Sequence, residues 1–245
     1  MIDSHCHIDL YPNPYEITLD AEQSGITTII VTNLPSAFIR AYPHIKSMRH
    51  IRLALGLHPL VAQQHASERE NFRELVNQTS YIGEVGLDFS QVGLPTKEVQ
   101  IESFRFVLQT LRGKPKFITL HSRQAESMVL DILEEEGRFP VVFHWYSGPL
   151  GVLKRALAQG HFFSINPAMV NSKKGQKIIS NIPSNRVLTE TDGPFVKVGK
   201  RPALPSDVAI VEDRLATIWQ MEISETRTRI RENFWELIRP LRQHS

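Results

Sequence analysis

A single barrel of eight alternating strands and helices is the fold this sequence predicts, and three observations predict it. Eight short β-rich runs recur along the 245 residues, separated by segments with helical periodicity, a count and length that suit a (β/α)8 barrel of about 250 residues. The runs scarcely alternate between apolar and polar residues, as strands covered on both faces should. The rival, an open doubly wound sheet, needs a glycine-rich phosphate turn after an early strand, whereas the first run here ends in Asp3-Ser4-His5-Cys6-His7.

The first strand is expected over residues 1–8. Residues 27–32 (TTIIVT), 51–56 (IRLALG) and 81–85 (YIGEV) are the next three, the first two dominated by branched or aliphatic side chains. Residues 116–121 (KFITLH), 141–144 (VVFH), 162–165 (FFSI) and 186–189 (RVLT) complete the set. Between them, residues 98–111 place Val99, Phe104, Val107, Leu108 and Leu111 on one helical face. Residues 124–136 and 174–181 read as further helices, and residues 206–239 as two more, the last capped by Ser224. The linkers are short, with no repeat or composition shift, so one barrel domain is expected over residues 1–245.

Composition excludes several classes. With 41% hydrophobic and 22% charged residues the chain is an ordinary globular sequence. Cys6 is the only cysteine, which excludes an internal disulfide framework and fits a reducing compartment. The opening MIDSHCHIDL lacks the basic segment and long apolar core of a secretory signal, and no run approaches the ~18 apolar residues of a membrane span. A cytoplasmic protein without a membrane partner is expected. The formal charge of +2 neither requires nor excludes a nucleic-acid partner.

Working groups of such barrels lie at the carboxyl ends of strands. The first strand supplies His5 and His7, the fourth Glu84, the fifth His121, the sixth His144, and the eighth runs into Glu190-Thr191-Asp192. His5 and His7 are two apart, so on a strand both imidazoles face one side while Cys6 packs on the other. A lone strand histidine is most simply a hydrogen-bonded core residue; the ordered set across five strand ends predicts a metal site instead. Imidazoles mixed with carboxylates suit Zn²⁺, Mn²⁺, Fe²⁺ or Ni²⁺, with tolerance for Mg²⁺. Four histidines, Glu84 and Asp192 exceed what one hydrolytic ion with an open position needs, so two ions are expected. His5, His7 and Asp192 would hold the first, His121 and His144 the second, and Glu84 would bridge ions ~3.5–4 Å apart.

The segments DSHCHID, GLHP, IGEVGLDF, LHSR, FHWYSG and TETDGP, in this order and followed by NFWEL, resemble the motifs of TatD-related metal-dependent deoxyribonucleases. The resemblance covers nearly the whole chain. It implies a TIM barrel, divalent metals (Mg, Mn or Zn) and hydrolysis of DNA phosphodiesters, often from the 3′ end. It matches His5 and His7 to the first ligand pair, Glu84 to the bridging carboxylate, His121 and His144 to the second-site histidines, and Asp192 to the acid that orients the water and accepts its proton. The stretches TNLPSAF and FSINPAMVNSKKGQKIISNIP are also similar to the TatD-type branch of Qat anti-phage defence cassettes, which implies other cassette proteins as partners. Two segments depart from the pattern: relatives with His-Cys-Phe-Ser-Gly face His144-Trp145-Tyr146-Ser147-Gly148 here, and an Arg-Asn-Glu-Pro stretch is replaced by residues 200–205. Neither removes a ligand, but both alter the rim of the site.

Substrate contacts are expected from His58, as an N–H donor to phosphate, and from Arg123, as a forked partner; a plain loop histidine and a salt bridge to a helix are the competing roles. Lys173 and Lys174 stand in a basic stretch, where they either attract a nucleic-acid backbone or form a solvated helix face. Trp145 and Tyr146, and more weakly Tyr11 and Phe195, either stack on an unpaired base or pack against the loops. Two other functions fit the same residues: a dinuclear hydrolase of small esters, amides or lactones, and a scaffold that keeps metals for stability.

Overall fold

In the computed structural model, which describes residues 1–137 and 140–243, the chain forms a (β/α)8 barrel. β1 (Ile2–Cys6), β2 (Thr27–Ile30) and β3 (Ile51–Leu53) pair in parallel. β4 (Leu55–Leu57), β5 (Tyr81–Gly86), β6 (Phe117–His121), β7 (Val142–His144), β8 (Phe162–Ile165) and β9 (Val187–Thr189) continue in parallel and in chain order. β3 and β4 are two halves of one expected strand, parted at Ala54, the first bonded to β2 and the second to β5. The cylinder closes where β9 meets β1: the Asp192 N–H donates to the His5 carbonyl at 2.9 Å, and the His7 N–H to the Gly193 carbonyl at 2.8 Å.

The seam beside β4 explains one glycine. A Cβ on Gly56 would lie 1.6 Å from the Thr32 carbonyl oxygen, so only glycine fits. That carbonyl accepts the Glu84 N–H at 3.1 Å, and the Thr32 hydroxyl donates to the Ala54 carbonyl at 2.9 Å. Thr32 thus ties β4 and β5 together at the residue that carries the fourth-strand acid.

The helices are α1 (Pro14–Gln23), α2 (Pro35–Ile45), α3 (His65–Leu75), α4 (Lys97–Thr110), α5 (Glu126–Glu136), α6 (Leu150–Ala158), α7 (Pro167–Asn171), α8 (Lys173–Ile179), α9 (Val208–Trp219) and α10 (Ile223–Ile238). A hairpin of β10 (Lys197–Val198) and β11 (Arg201–Pro202) follows the last barrel strand. One continuous cluster of buried apolar residues joins sheet and helices. Cys6 is fully buried, its thiol directed at the Gly193 carbonyl. Among the described residues no helix is long and apolar enough to cross a membrane.

Two expectations need correction. Val99 is exposed; the inner face of α4 is Gln100, Ser103, Phe104, Val107 and Leu108, continued by Leu111. Gln100 is buried because its amide spans α4 and the preceding loop, accepting the Asp88 N–H at 2.8 Å and donating to the Gly93 carbonyl at 2.7 Å. The cap of α10 is Glu222, not Ser224: Glu222 and Glu225 exchange backbone and side-chain bonds across the first turn, satisfying two otherwise unpaired N–H groups.

Candidate metal centre

The carboxyl ends of β1, β5, β6 and β7 and the segment after β9 open into one pocket of about 500 Å³, as the geometry of this fold dictates. Its centre is Glu84, which is almost fully buried. Oε2 of that carboxylate lies 3.5 Å from His5 Nε2, 3.1 Å from His7 Nε2 and 3.1 Å from His58 Nε2. Oε1 lies 2.6 Å from His121 Nδ1 and 3.1 Å from His144 Nε2. One acid therefore faces two sets of imidazoles, one with each oxygen. Asp192 brings Oδ1 to 3.8 Å from the Nε2 atoms of both His5 and His7.

Electrostatics follow from this crowding. Burial works against ionisation of Glu84, yet the imidazoles of His58, His144, His121 and His5 outweigh it and hold the carboxyl well below its ordinary value. Burial also opposes charge on His144 and His121, but Glu190 and Glu84 raise the first well above its usual value, and Glu84 and Asp88 raise the second to about 9. Burial and the adjacent His144, stacked at 3.9 Å between ring centroids, push His5 well down. Burial pushes Asp192 up to about 7 against the pull of His144 and His7.

These groups fit divalent cations. His5 and His7 bring their Nε2 atoms to 3.3 Å of each other. His5 Nδ1 is engaged by the Thr119 hydroxyl at 2.8 Å, which leaves Nε2 as the inward donor atom. Asp192 Oδ1 is buried and has no hydrogen-bond partner among the described residues. A cation held between these atoms would satisfy the orphaned oxygen. Potential donor atoms gather as His5 with His7 and Glu84, as His5 with His144 and Asp192, and as His58 with Glu84 and His121.

His58 is buried but lines the pocket, with Nε2 beside Glu84. Its Nδ1 accepts the Leu60 N–H at 3.1 Å, so in the neutral ring Nε2 carries the proton and is a donor toward Glu84. His65, buried in α3, bonds the His58 carbonyl through Nε2 at 3.0 Å and steadies that turn. Arg123 lines the pocket, exposed, and among the described residues its guanidinium has no ion-pair partner. Lys173 and Lys174 lie outside the pocket lining, exposed at the start of α8. The aromatic candidates divide: Tyr11 and Tyr146 are packed inside, while Trp145 and Phe195 reach the pocket mouth.

Sequence reasoning missed Asp88; for Glu190 it leaves open a partner behind a ligand, a ligand to a further ion, or a buried acid bonded to backbone, and the structure places it behind His144. Asp88 Oδ2 holds His121 Nε2 at 2.7 Å, so the other ring nitrogen, Nδ1, faces Glu84. Its Oδ1 accepts the Ser90 N–H at 2.8 Å, which freezes the carboxylate. The only sequence signal was its place inside IGEVGLDF. Glu190 is fully buried, accepting from Ser164, from Asn166 at 3.1 Å and from the Trp145 N–H at 3.0 Å, and lies 3.4 Å from His144 Nδ1. Carboxylates behind ligand histidines fix ring orientation and tautomer. Asp88→Ala should weaken divalent-metal binding roughly 10–100-fold, with Asp88→Asn losing less; calorimetric titration of metal-free protein with Mn²⁺ or Zn²⁺ checks this, and an unchanged affinity in the Ala protein would refute the role.

A barrel with this buried mix of imidazoles and acids at its carboxyl end has the donor set of a metal-dependent hydrolase, and the family match that follows makes it one acting on ester bonds. The chain belongs to the TatD-related DNase family, whose model matches residues 2–239. It is 28% identical to an uncharacterized metal-dependent hydrolase of Methanocaldococcus jannaschii, over 95% of this chain and 94% of that one. It is 23% identical to the deoxyribonuclease TATDN3 of Homo sapiens, over 99% and 96% of the two chains. The crystal structure of YJJV, a TatD homolog from Escherichia coli, superposes with a TM-score of 0.87 at 23% identity, covering 97% of each chain.

Proposed function

We propose that this hydrolase cleaves DNA phosphodiester bonds, removing nucleotides from single-stranded or 3′ ends with two divalent ions. The observation that carries the reading is Glu84, one carboxylate offering an oxygen to each of two imidazole sets. His5, His7, Asp192 and Glu84 Oε2 would hold one ion, and His121, His144 and Glu84 Oε1 the other. Bound there, divalent ions supply nucleophile activation and neutralise the phosphoryl oxygens. Asp192, whose buried Oδ1 has no hydrogen-bond partner among the described residues, would accept the proton released by the attacking water. His58 Nε2–H and the Arg123 fork donate to phosphate oxygens and orient the scissile group. The deoxyribonuclease named among the relatives supports DNA as substrate. The lone buried cysteine supports a reducing, cytoplasmic setting.

The purified protein, assayed for bound metal and incubated with 3′-labelled single-stranded DNA, should shorten the strand only with Mg²⁺ or Mn²⁺. Faster turnover of a small ester or lactone than of DNA would overturn the nuclease reading, as would tight DNA binding without cleavage. Lys173 and Lys174 belong to the proposal as long-range attraction for the backbone. Changing both to Gln should reduce the slope of log affinity against log salt by about 1.4 for a single strand, at ~0.7 per phosphate contact. An unchanged slope returns them to the solvated surface. The loop resemblance extends the proposal to an anti-phage cassette whose other proteins are partners. Inactivating the site by Asp192→Asn in the intact cassette should then restore phage plaques.

A further inference from the structure

We infer that Trp145 and Phe195 form a stacking rim that engages the unpaired base of a strand terminus and so sets the preference for single-stranded ends, an inference that rests on the nuclease reading above. Trp145 is 37% exposed, Phe195 58% and Leu60 43%, and all three line the mouth of the pocket whose floor holds Glu84, His121 and Asp192. Single exposed apolar side chains are ordinary, but three converging on one polar cavity make a site that is ionic below and apolar above. A nucleotide has the same division, an anionic phosphate on one side of the sugar and a flat base on the other.

The backbone at Trp145 is built to present the ring. Its φ is +39°, a left-handed conformation that a bulky residue adopts only when its surroundings impose it. The Trp145 N–H is held by Glu190, the acid that also stands behind His144. The next side chain turns the opposite way: Tyr146 is buried against Phe143 and Phe163, and its hydroxyl donates to the Pro149 carbonyl at 2.7 Å. The turn anchors Tyr146 inside and leaves the indole outside, where among the described residues no aromatic ring covers it. Phe195 is set beside the floor, its ring edge-on to His7 at 5.0 Å between centroids, and its loop is fixed by the Val196 N–H donating to the Asp192 carbonyl at 3.0 Å.

A base inside a duplex has both faces covered by its neighbours and must be unpaired before it can stack elsewhere. A terminal base of a single strand needs no such step. A cavity of about 500 Å³ suits a group of small-molecule size, such as one nucleotide, and not a duplex.

The test compares an oligodeoxynucleotide ending in a 3′ thymidine with the same strand ending in an abasic residue, both with Mn²⁺-loaded protein. The wild type should prefer the base-bearing end by at least about fivefold in kcat/KM, the low end for one stacked base. The ratio should fall toward unity in Trp145→Ala and in Phe195→Ala, and Trp145→Phe should keep part of it. Indole emission should be quenched by the base-bearing strand more than by the abasic one, and this difference should vanish in Trp145→Phe. Equal cleavage of both ends by the wild type would overturn the rim while leaving the nuclease intact. Cleavage of neither end would overturn the nuclease reading and the rim with it.

Discussion

Glu84→Gln should yield a protein that binds far less divalent metal and hydrolyses its substrate at least about a thousandfold more slowly, equivalent to ~4 kcal/mol of barrier. The reason is the position of one carboxylate. Five imidazoles place a nitrogen within 3.5 Å of its two oxygens. Glutamine is nearly isosteric, but it carries no charge and offers one acceptor where two are used; its NH₂ group faces one imidazole set with a donor. Removing one partner from a buried charged cluster also costs stability, typically 3–5 kcal/mol, so the melting temperature of the metal-free protein should fall as well. Elemental analysis after metal loading, together with single-turnover rates, decides the matter. Wild-type metal content in the Gln protein would show that the two imidazole sets do not depend on a shared acid.

Asp192→Asn is the second large effect, and it separates chemistry from folding. Asp192 has φ +49°, a conformation that Asn tolerates as well as Asp does. Its backbone closes the barrel, with the N–H on the His5 carbonyl and its carbonyl accepting the Val196 N–H. Both bonds survive the exchange, so the Asn protein should keep wild-type far-ultraviolet dichroism. Turnover should nonetheless drop by about 10²–10⁴, the usual worth of a positioned proton acceptor, and further if the lost negative charge weakens metal binding. Metal-replete assays isolate the first effect. A rate within tenfold of wild type would remove Asp192 from the chemistry.

Much of the site was legible because its signals are local. His5 and His7 are two residues apart, and the alternation of a strand puts both on one side whatever surrounds it. Glu84, His121 and His144 sit where short apolar runs end, and the fold itself brings strand ends together. The helix boundaries were less legible. Val99 fits the apolar pattern of its segment, but the buried turn of α4 is set by Gln100 bonding back to the loop of Asp88 and Gly93. Ser224 is a good cap by residue type; the exchange between Glu222 and Glu225 displaced it by two positions. The third expected strand broke at Ala54 because its two ends serve different neighbours in a closed cylinder.

By itself, then, the order of residues determined the eightfold alternation, the kinds of donor atoms and their places at strand ends, since periodicity and residue chemistry are properties of neighbours in the chain. Tertiary structure alone decided which atom faces which. His121 turns Nδ1 toward Glu84 because Asp88, 33 residues earlier, takes Nε2. Trp145 points outward because Glu190, 45 residues later, holds its N–H. Ring orientation and side-chain direction depend on partners that meet only when the barrel closes, and no local pattern carries that information.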